Sequence, residues 1–412
     1  MPVITLFSGS YCNEEPVVQE IGSRTGYRLI TDRQIVAEAS RLSTIPENKV
    51  ERVFADKVSV FNRLTRERER SLAYLRAAVA KTLVEDDLII RGFAGQLIPR
   101  KIQHVLRVCL IADMRSRVAV AIDEHRIAEP EALRLIHRAD ERCAAWIDML
   151  YGVKDPWSAA LYDIVFPTDK TEPAEIAQMM EKKTALIKLA DRSAQAVDDF
   201  NIAAQVEIAL VKKGHSVGID VQAGAVTLTI NKHVLMLNRL EEELKEIVGR
   251  EPGVSSVATQ VGPGYYQTDV YRRQDFDAPS KILLVDDEKK YVQTLSKRLM
   301  MRELEAAVVY DGESALETAR EDQPDVMILD LRMPGIDGIE VLRRVKKTHP
   351  AIEVIVLTSQ GSADDKKTCM ELGAFAFLSK SVDIDELSKT IEAANQKIRQ
   401  TRADRRLSET DH

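Results

Sequence analysis

The chain has 412 residues, of which 30% are charged, and a formal net charge of −7. That length suggests about two to three domains. The acidic balance argues against a nucleic-acid partner, which would usually be met by a basic surface, and no apolar run reaches the about 20 residues that a membrane span needs. Cys12, Cys109, Cys143 and Cys369 are scattered without paired metal spacing. Together with a start, Met1–Phe7, that lacks a signal peptide's basic residues and cleavage site, this predicts reduced or buried thiols in a cytoplasmic protein.

Residues 1–198 alternate short apolar runs with helical stretches, as a parallel α/β sheet does. The predicted strands are Val3–Phe7, Leu88–Arg91, Val105–Ala112 and Ile164–Phe166, and a helix over 173–198 opens with Pro173 near its first turn. The loop after the first strand reads Phe7-Ser8-Gly9-Ser10-Tyr11-Cys12-Asn13-Glu14-Glu15-Pro16. A loop that wraps phosphate needs closely spaced glycines and usually a basic partner. Here side chains at Tyr11, Cys12 and Asn13 block close backbone approach. Glu14 and Glu15 suit a helix N-terminus but repel a triphosphate, at about 4 kcal/mol for a like-charge contact near 4 Å and an effective ε of about 20. Taken with Gly26–Arg33, Leu88–Gly95, Asp140-Glu141-Arg142 and Leu161–Thr168, this stretch resembles the cytidylate-kinase-like family of P-loop nucleotide kinases. The loop predicts a catalytically degenerate member serving as a sensing or docking scaffold. Arg91, Arg107, Arg115 and Arg142 either bind an anion or lie on solvated helix faces.

From 199 to 262 the pattern changes. A helix, Ala203–Lys212, precedes two runs with period-two alternation, Val217–Val221 and Val226–Ile230, separated by Gly224 as in a hairpin. A helix, Leu235–Val248, and a strand, Val254–Val261, follow. This order resembles a BON domain, a small α+β module associated in other proteins with phospholipid or ligand binding; a packing or dimerisation role fits a chain without an export signal better. His215 and His233 read as surface or core residues rather than ligands. Residues 263–279 read as linker.

The last region, 280–398, carries the strongest chemical pattern. Four apolar runs each end in a polar group: Ile282–Val285 in Asp286-Asp287, Val326–Leu329 in Asp330, Val354–Leu357 in Thr358, and Ala376–Ser379 in Lys380. Buried strands of an open parallel sheet deliver functional groups at their carboxyl ends. A single acidic pair would ordinarily cap the next helix; four strand ends agreeing on acid, acid, hydroxyl and lysine point to a site. Clustered carboxylates without His or Cys favour a hard cation such as Mg²⁺. These residues resemble the receiver domain of response regulators. The resemblance implies Asp330 as phospho-acceptor, and Asp286, Asp287, Asp330 and the backbone carbonyl of Arg332 as Mg²⁺ ligands. It further implies that Thr358 and Lys380 contact the phosphoryl group and that Phe377 is the switch aromatic. Ser381 departs from the family, which usually has a proline after the lysine. The residues from 399 to 412 are polar and predict a disordered tail.

The expected fold class is therefore α/β. It comprises a P-loop-kinase-like parallel domain, a BON-like α+β module and a flavodoxin-like doubly wound receiver. The expected function is a phosphorelay response regulator, phosphorylated on Asp330 by a sensor histidine kinase or phosphotransfer protein and able to form a homodimer through its receiver. Neither a metabolic enzyme, a nucleic-acid partner nor a membrane partner is expected. The alternative is a receiver-regulated cytidylate kinase.

Overall fold

The computed structural model describes every residue except 1, 55–66, 190–193, 232–233, 235–236, 264, 266–280, 301, 303, 305, 360 and 411–412. His233 and nearly all of the expected linker lie outside the described residues. The chain divides into two compact units, the first spanning 1–58 and 67–274 and the second including 275–412.

In the first unit, β1 (Val3–Ser8), β2 (Arg28–Thr31), β3 (Leu88–Arg91), β4 (Val105–Ile111) and β5 (Ile164–Pro167) form a sheet of order β2-β3-β1-β4-β5, parallel throughout. Its strands are apolar on both sides because helices cover both faces. Ile4 and Leu6 pack against α1 (Glu14–Thr25) and α7 (Pro173–Leu189). Val3 and Phe7 pack in a second core with α2 (Asp32–Leu42), α3 (Glu47–Glu51), α4 (Glu67–Thr82) and α6 (Glu129–Tyr151). Between β4 and α6 lies α5 (Met114–His125).

Helix is described over α7 and over α8 (Ala194–Lys212), with 190–193 between them outside the described residues, and the boundary placed at 199 falls inside α8. The reason is that α8 serves two cores. Val197, Phe200 and Ala204 pack under the parallel sheet, whereas Val206 and Leu210 pack with the next module. That module contains β6 (Gly218–Gln222), β7 (Ala225–Ile230), α9 (Leu237–Val248) and β8 (Ser256–Val261). β6 and β7 are antiparallel, and β8 runs parallel to β7. Their hairpin turns through Ala223 and Gly224 at φ 48° and 77°. The buried Asp199 carboxylate accepts both backbone N–H groups of that turn, at 3.0 and 3.1 Å. An Asp in α8 thus holds the hairpin, tying the module to the preceding domain.

In the second unit, β9 (Ile282–Val285), β10 (Ala306–Val309), β11 (Val326–Leu329), β12 (Glu353–Thr358) and β13 (Ala376–Ser379) form a sheet of order β10-β9-β11-β12-β13, again parallel. β10 is a short edge strand absent from the expected set. Leu283, Val285, Met327 and Leu329 face α11 (Gly312–Glu321) and α12 (Gly338–Thr348). Ile282, Leu284, Val326 and Ile328 face α10 (Lys289–Met300) and α14 (Ile384–Thr410). α13 (Ala363–Glu371) lies between β12 and β13. The disordered tail expected from 399 is instead the continuation of α14 to Thr410. Leu387, Ile391, Ala394 and Ile398 anchor its first turns to the core; beyond them Arg, Ala, Gln and Leu are good helix formers and propagate a helix already nucleated.

Candidate functional site

The polar site of the second unit is assembled at the carboxyl ends of its strands. Asp286 follows β9, and its Oδ1 accepts the Glu288 N–H at 2.9 Å. Asp330 follows β11; its N–H donates to the Val285 carbonyl at 2.9 Å, and its Oδ1 accepts the Leu331 N–H at 2.7 Å. Lys380 follows β13 and donates its N–H to the Thr358 carbonyl at 2.9 Å. Its Nζ reaches Asp286 Oδ2 at 2.7 Å and Asp330 Oδ2 at 2.9 Å. Carboxylate oxygens of Asp286, Asp287 and Asp330 lie within 4.8 Å of one another. Asp286 and Asp330 are almost fully buried, at 2% and 3% exposure. Two buried carboxylates thus close on one ammonium, and the more exposed Asp287 beside them leaves an excess of negative charge.

The titration behaviour follows from that imbalance. Burial pushes the Asp286 carboxyl above its ordinary range, against the opposing hydrogen bond and charge of Lys380. For Lys380 burial acts to lower the pKa, but the hydrogen bonds and charges of Asp286 and Asp330 together outweigh it and hold the ammonium above its usual value.

The other expected residues also come to this end of the sheet. Thr358 closes β12 and is buried. It lies opposite Ser379 in the β12–β13 register. Phe377 on β13 is half-buried, packed so tightly on Gly361 that a Cβ there would stand 2.5 Å from its ring. Arg332 lies in the loop after Asp330, its guanidinium 3.5 Å from Asp365. Where the family usually has proline, Ser381 hydrogen-bonds Ser379, Oγ to Oγ, at 2.8 Å. One contributor was missed. The Tyr291 ring lies under Lys380, 4.8 Å from Nζ to the centroid, a cation–π contact whose sequence signal was only an aromatic in the helix after the acidic pair. Gly338, which with Asp337 belongs to the resemblance in sequence, begins α12 against the phospho-acceptor loop; a Cβ there would stand 2.2 Å from the Asp330 carbonyl oxygen, so any side chain would push the helix off the site.

The phosphate-type loop of the first unit is arranged very differently. Arg91, at the end of β3, donates to Glu14 at 2.9 Å and Glu15 at 2.7 Å. Tyr11 and Asn13 adopt left-handed backbone, at φ 61° and 48°, a conformation that costs non-glycine residues energy. From below, the buried Arg117 donates to the Ser10 carbonyl at 2.8 Å and to both oxygens of Asp140 at 3.0 and 2.6 Å. Arg107 donates to the carbonyls of Val105 and Pro99 at 3.2 and 2.8 Å. Arg142 lies 5.5 Å over the Phe93 ring, and Arg115 is exposed. Three of the four arginines are thus engaged separately, on carboxylates, carbonyls or a ring. Sequence reading also missed Asp32, which accepts the Phe93 and Ala94 N–H groups, both at 2.8 Å. Burial pushes its carboxyl up to about 6 despite those bonds. Cys12, Cys109, Cys143 and Cys369 are buried free thiols.

Comparison with known proteins agrees with this division. Residues 282–392 match the response regulator receiver domain family, and residues 3–170 match the cytidylate kinase-like family. The "uncharacterized transcriptional regulatory protein YkoG" of Bacillus subtilis (strain 168) is 36% identical over 113 residues, 27% of this chain and 50% of that protein. The "DNA-binding transcriptional regulator NtrC" of Escherichia coli (strain K12) is 34% identical over 113 residues, 27% of this chain and 24% of that protein. A solved receiver domain protein from Clostridium thermocellum shares 35% identity, covering 29% of this chain and 96% of that chain, with a TM-score of 0.28. The chain thus spans half or less of the length of these curated relatives. It carries a response regulator receiver domain in residues 282–392. The expectation of no nucleic-acid partner gains no support from relatives that include a regulator named as DNA-binding. Among the described residues, no helix is long and apolar enough to cross a membrane.

Proposed function

We propose that this protein is a phosphorelay response regulator whose acceptor is Asp330, with a sensor histidine kinase or phosphotransfer protein as donor. The observation that carries the reading is the closure of the buried Asp286 and Asp330 on the Lys380 ammonium, with an Asp287 carboxylate oxygen within 4.8 Å of theirs. The donor set, all oxygen with excess negative charge, fits Mg²⁺. Asp286, Asp287, Asp330 and the Arg332 carbonyl would hold the ion, which supplies charge neutralisation for a transferring phosphoryl group. In the transfer, the donor's P–N bond breaks as an Asp330 carboxylate oxygen bonds phosphorus, and the electron pair leaves with the donor imidazole. Lys380 then exchanges its bond to Asp330 for one to a phosphoryl oxygen. Thr358 donates its hydroxyl to another, and Phe377 turns inward behind it.

Residues 1–198 act in this reading as a degenerate cytidylate-kinase-like scaffold, and residues 199–262 as a BON-like packing or binding module. The occupation of Arg91 by Glu14 and Glu15 supports the scaffold role. A receiver-regulated cytidylate kinase is the second reading, favoured by the family match over 3–170; phosphorylation of CMP by the full-length protein with ATP would establish it. The test of the first reading is acyl-phosphate labelling and beryllofluoride binding. Both are expected in the parent and lost in Asp330→Asn; labelling that persists in the variant would move the acceptor elsewhere.

A further inference from the structure

The seam between the parallel sheet and the hairpin module contains a cavity of about 410 Å³. Its apolar lining includes Ile98, Leu150, Phe200 and Ile219, and the small Ala203 and Ala204 of α8 leave the room. Ile98, Phe200 and Ala204 are buried, so the floor is rigid core rather than loop. The polar lining consists of Arg76, Gln96, Arg100, Tyr151 and Glu207, one positive charge in excess. Arg76 pairs with Glu207 across α4 and α8. Arg100 stands at the exposed rim, and among the described residues it makes no ion pair. Tyr151 donates its hydroxyl to the Gln96 carbonyl. Burial pushes the Tyr151 hydroxyl up, while the charges of Arg107, Arg100 and Arg76 pull it down; of the two arginines that line the cavity, Arg76 is matched by Glu207, and Arg100 is the positive charge left over.

A concave, half-enclosed space of this size with an apolar floor and a few fixed polar groups, at a junction of modules, is the usual form of a small-molecule site. The excess of guanidinium selects the charge of the occupant, since a planar fork binds carboxylate or phosphoryl oxygens in two-pronged fashion. A cationic occupant would be repelled by Arg100, and a purely apolar one would gain nothing from it. We propose that this cavity binds a small organic anion with a compact aromatic or branched apolar body, the body on Phe200 and Ile98 and the anionic head on Arg100. Because α4, α8 and β6 all contribute walls, occupancy fastens the hairpin module to the sheet. The site is separate from Asp330 and needs no phosphorylation.

The test is calorimetry on the full-length protein with three probes sharing one ring system: naphthoate, naphthyl phosphonate and the neutral naphthalene methanol. Saturable one-to-one binding of at least one acidic probe is expected, with the neutral probe weaker by about tenfold or more. The tighter of the two acids identifies a carboxylate or a phosphoryl head. Arg100→Glu, at an exposed position, is expected to weaken the acidic probe about tenfold or more, and Ala203→Phe, which fills the floor, to abolish binding while the thermal melt confirms folding. Equal affinity for acidic and neutral probes, no binding at millimolar concentration, or unchanged binding in both variants would overturn the proposal.

Discussion

The two parallel sheets place charge at the same kind of position and reach opposite outcomes. In the receiver domain, Asp286, Asp287 and Asp330 outnumber the single Lys380, so negative charge is left over for a cation to neutralise. In the kinase-like domain, Glu14 and Glu15 sit at a helix start and close on Arg91. The acids that could have been replaced by phosphate are there supplied by the chain itself. A strand end is therefore not a site because it bears charge. It becomes one when the charge it bears is left incompletely neutralised and out of water.

The largest effect that sharpens this contrast is expected at Lys380. Lys380→Ala leaves two buried carboxylates facing each other, and losing one partner of a buried ion pair costs about 3–5 kcal/mol. The receiver transition should fall markedly in a metal-free thermal melt and recover more with Mg²⁺ than the parent does. A variant as stable as the parent without Mg²⁺ would show that the acids do not repel one another strongly.

Next is Asp32 in the kinase-like domain. Its folded carboxyl lies near pH 6, above its ordinary 3.8, so the folded state holds a proton more tightly than the unfolded chain. Stability contributed this way is present at low pH and is lost as pH rises from about 4 through about 6, by at most about 3 kcal/mol. Asp32→Asn should flatten that part of the stability profile of the first unit, read by denaturant melts across the range. A profile unchanged in the variant would remove Asp32 as its cause.

The smallest effect is expected at Arg91, whose ion pairs are only part-buried. Arg91→Ala should cost about 1 kcal/mol or less by denaturant melt, as partly solvated pairs do, and should not create CMP phosphorylation. Gain of that activity would mean the pair was a lock on a competent kinase rather than a sign of its loss.

Much of the site was legible because strand ends advertise themselves. Asp286, Asp330 and Thr358 each follow an unbroken apolar run and Lys380 stands one serine beyond a further run, and period and punctuation suffice to align them. Tyr291 was not legible, since its role depends on how α10 packs on those strand ends. The domain boundary failed for a related reason. Helix α8 is apolar on two faces because it serves two cores, and sequence pattern alone divides it between the end of one helix and the whole of another, in two modules. The tail failed because a polar composition was read as disorder, whereas α14 continues past Ile398, its last core contact among the described residues.

The central claim is that the receiver's acids are under-neutralised and await a divalent ion. A Mg²⁺ titration of the full-length protein by calorimetry tests it directly, alongside Asp287→Asn, which removes one carboxylate without touching the Lys380 bonds. The account predicts a single saturable site in the parent, weakened about tenfold or more in the variant. No heat of binding in the parent, or equal affinity in both proteins, would contradict it.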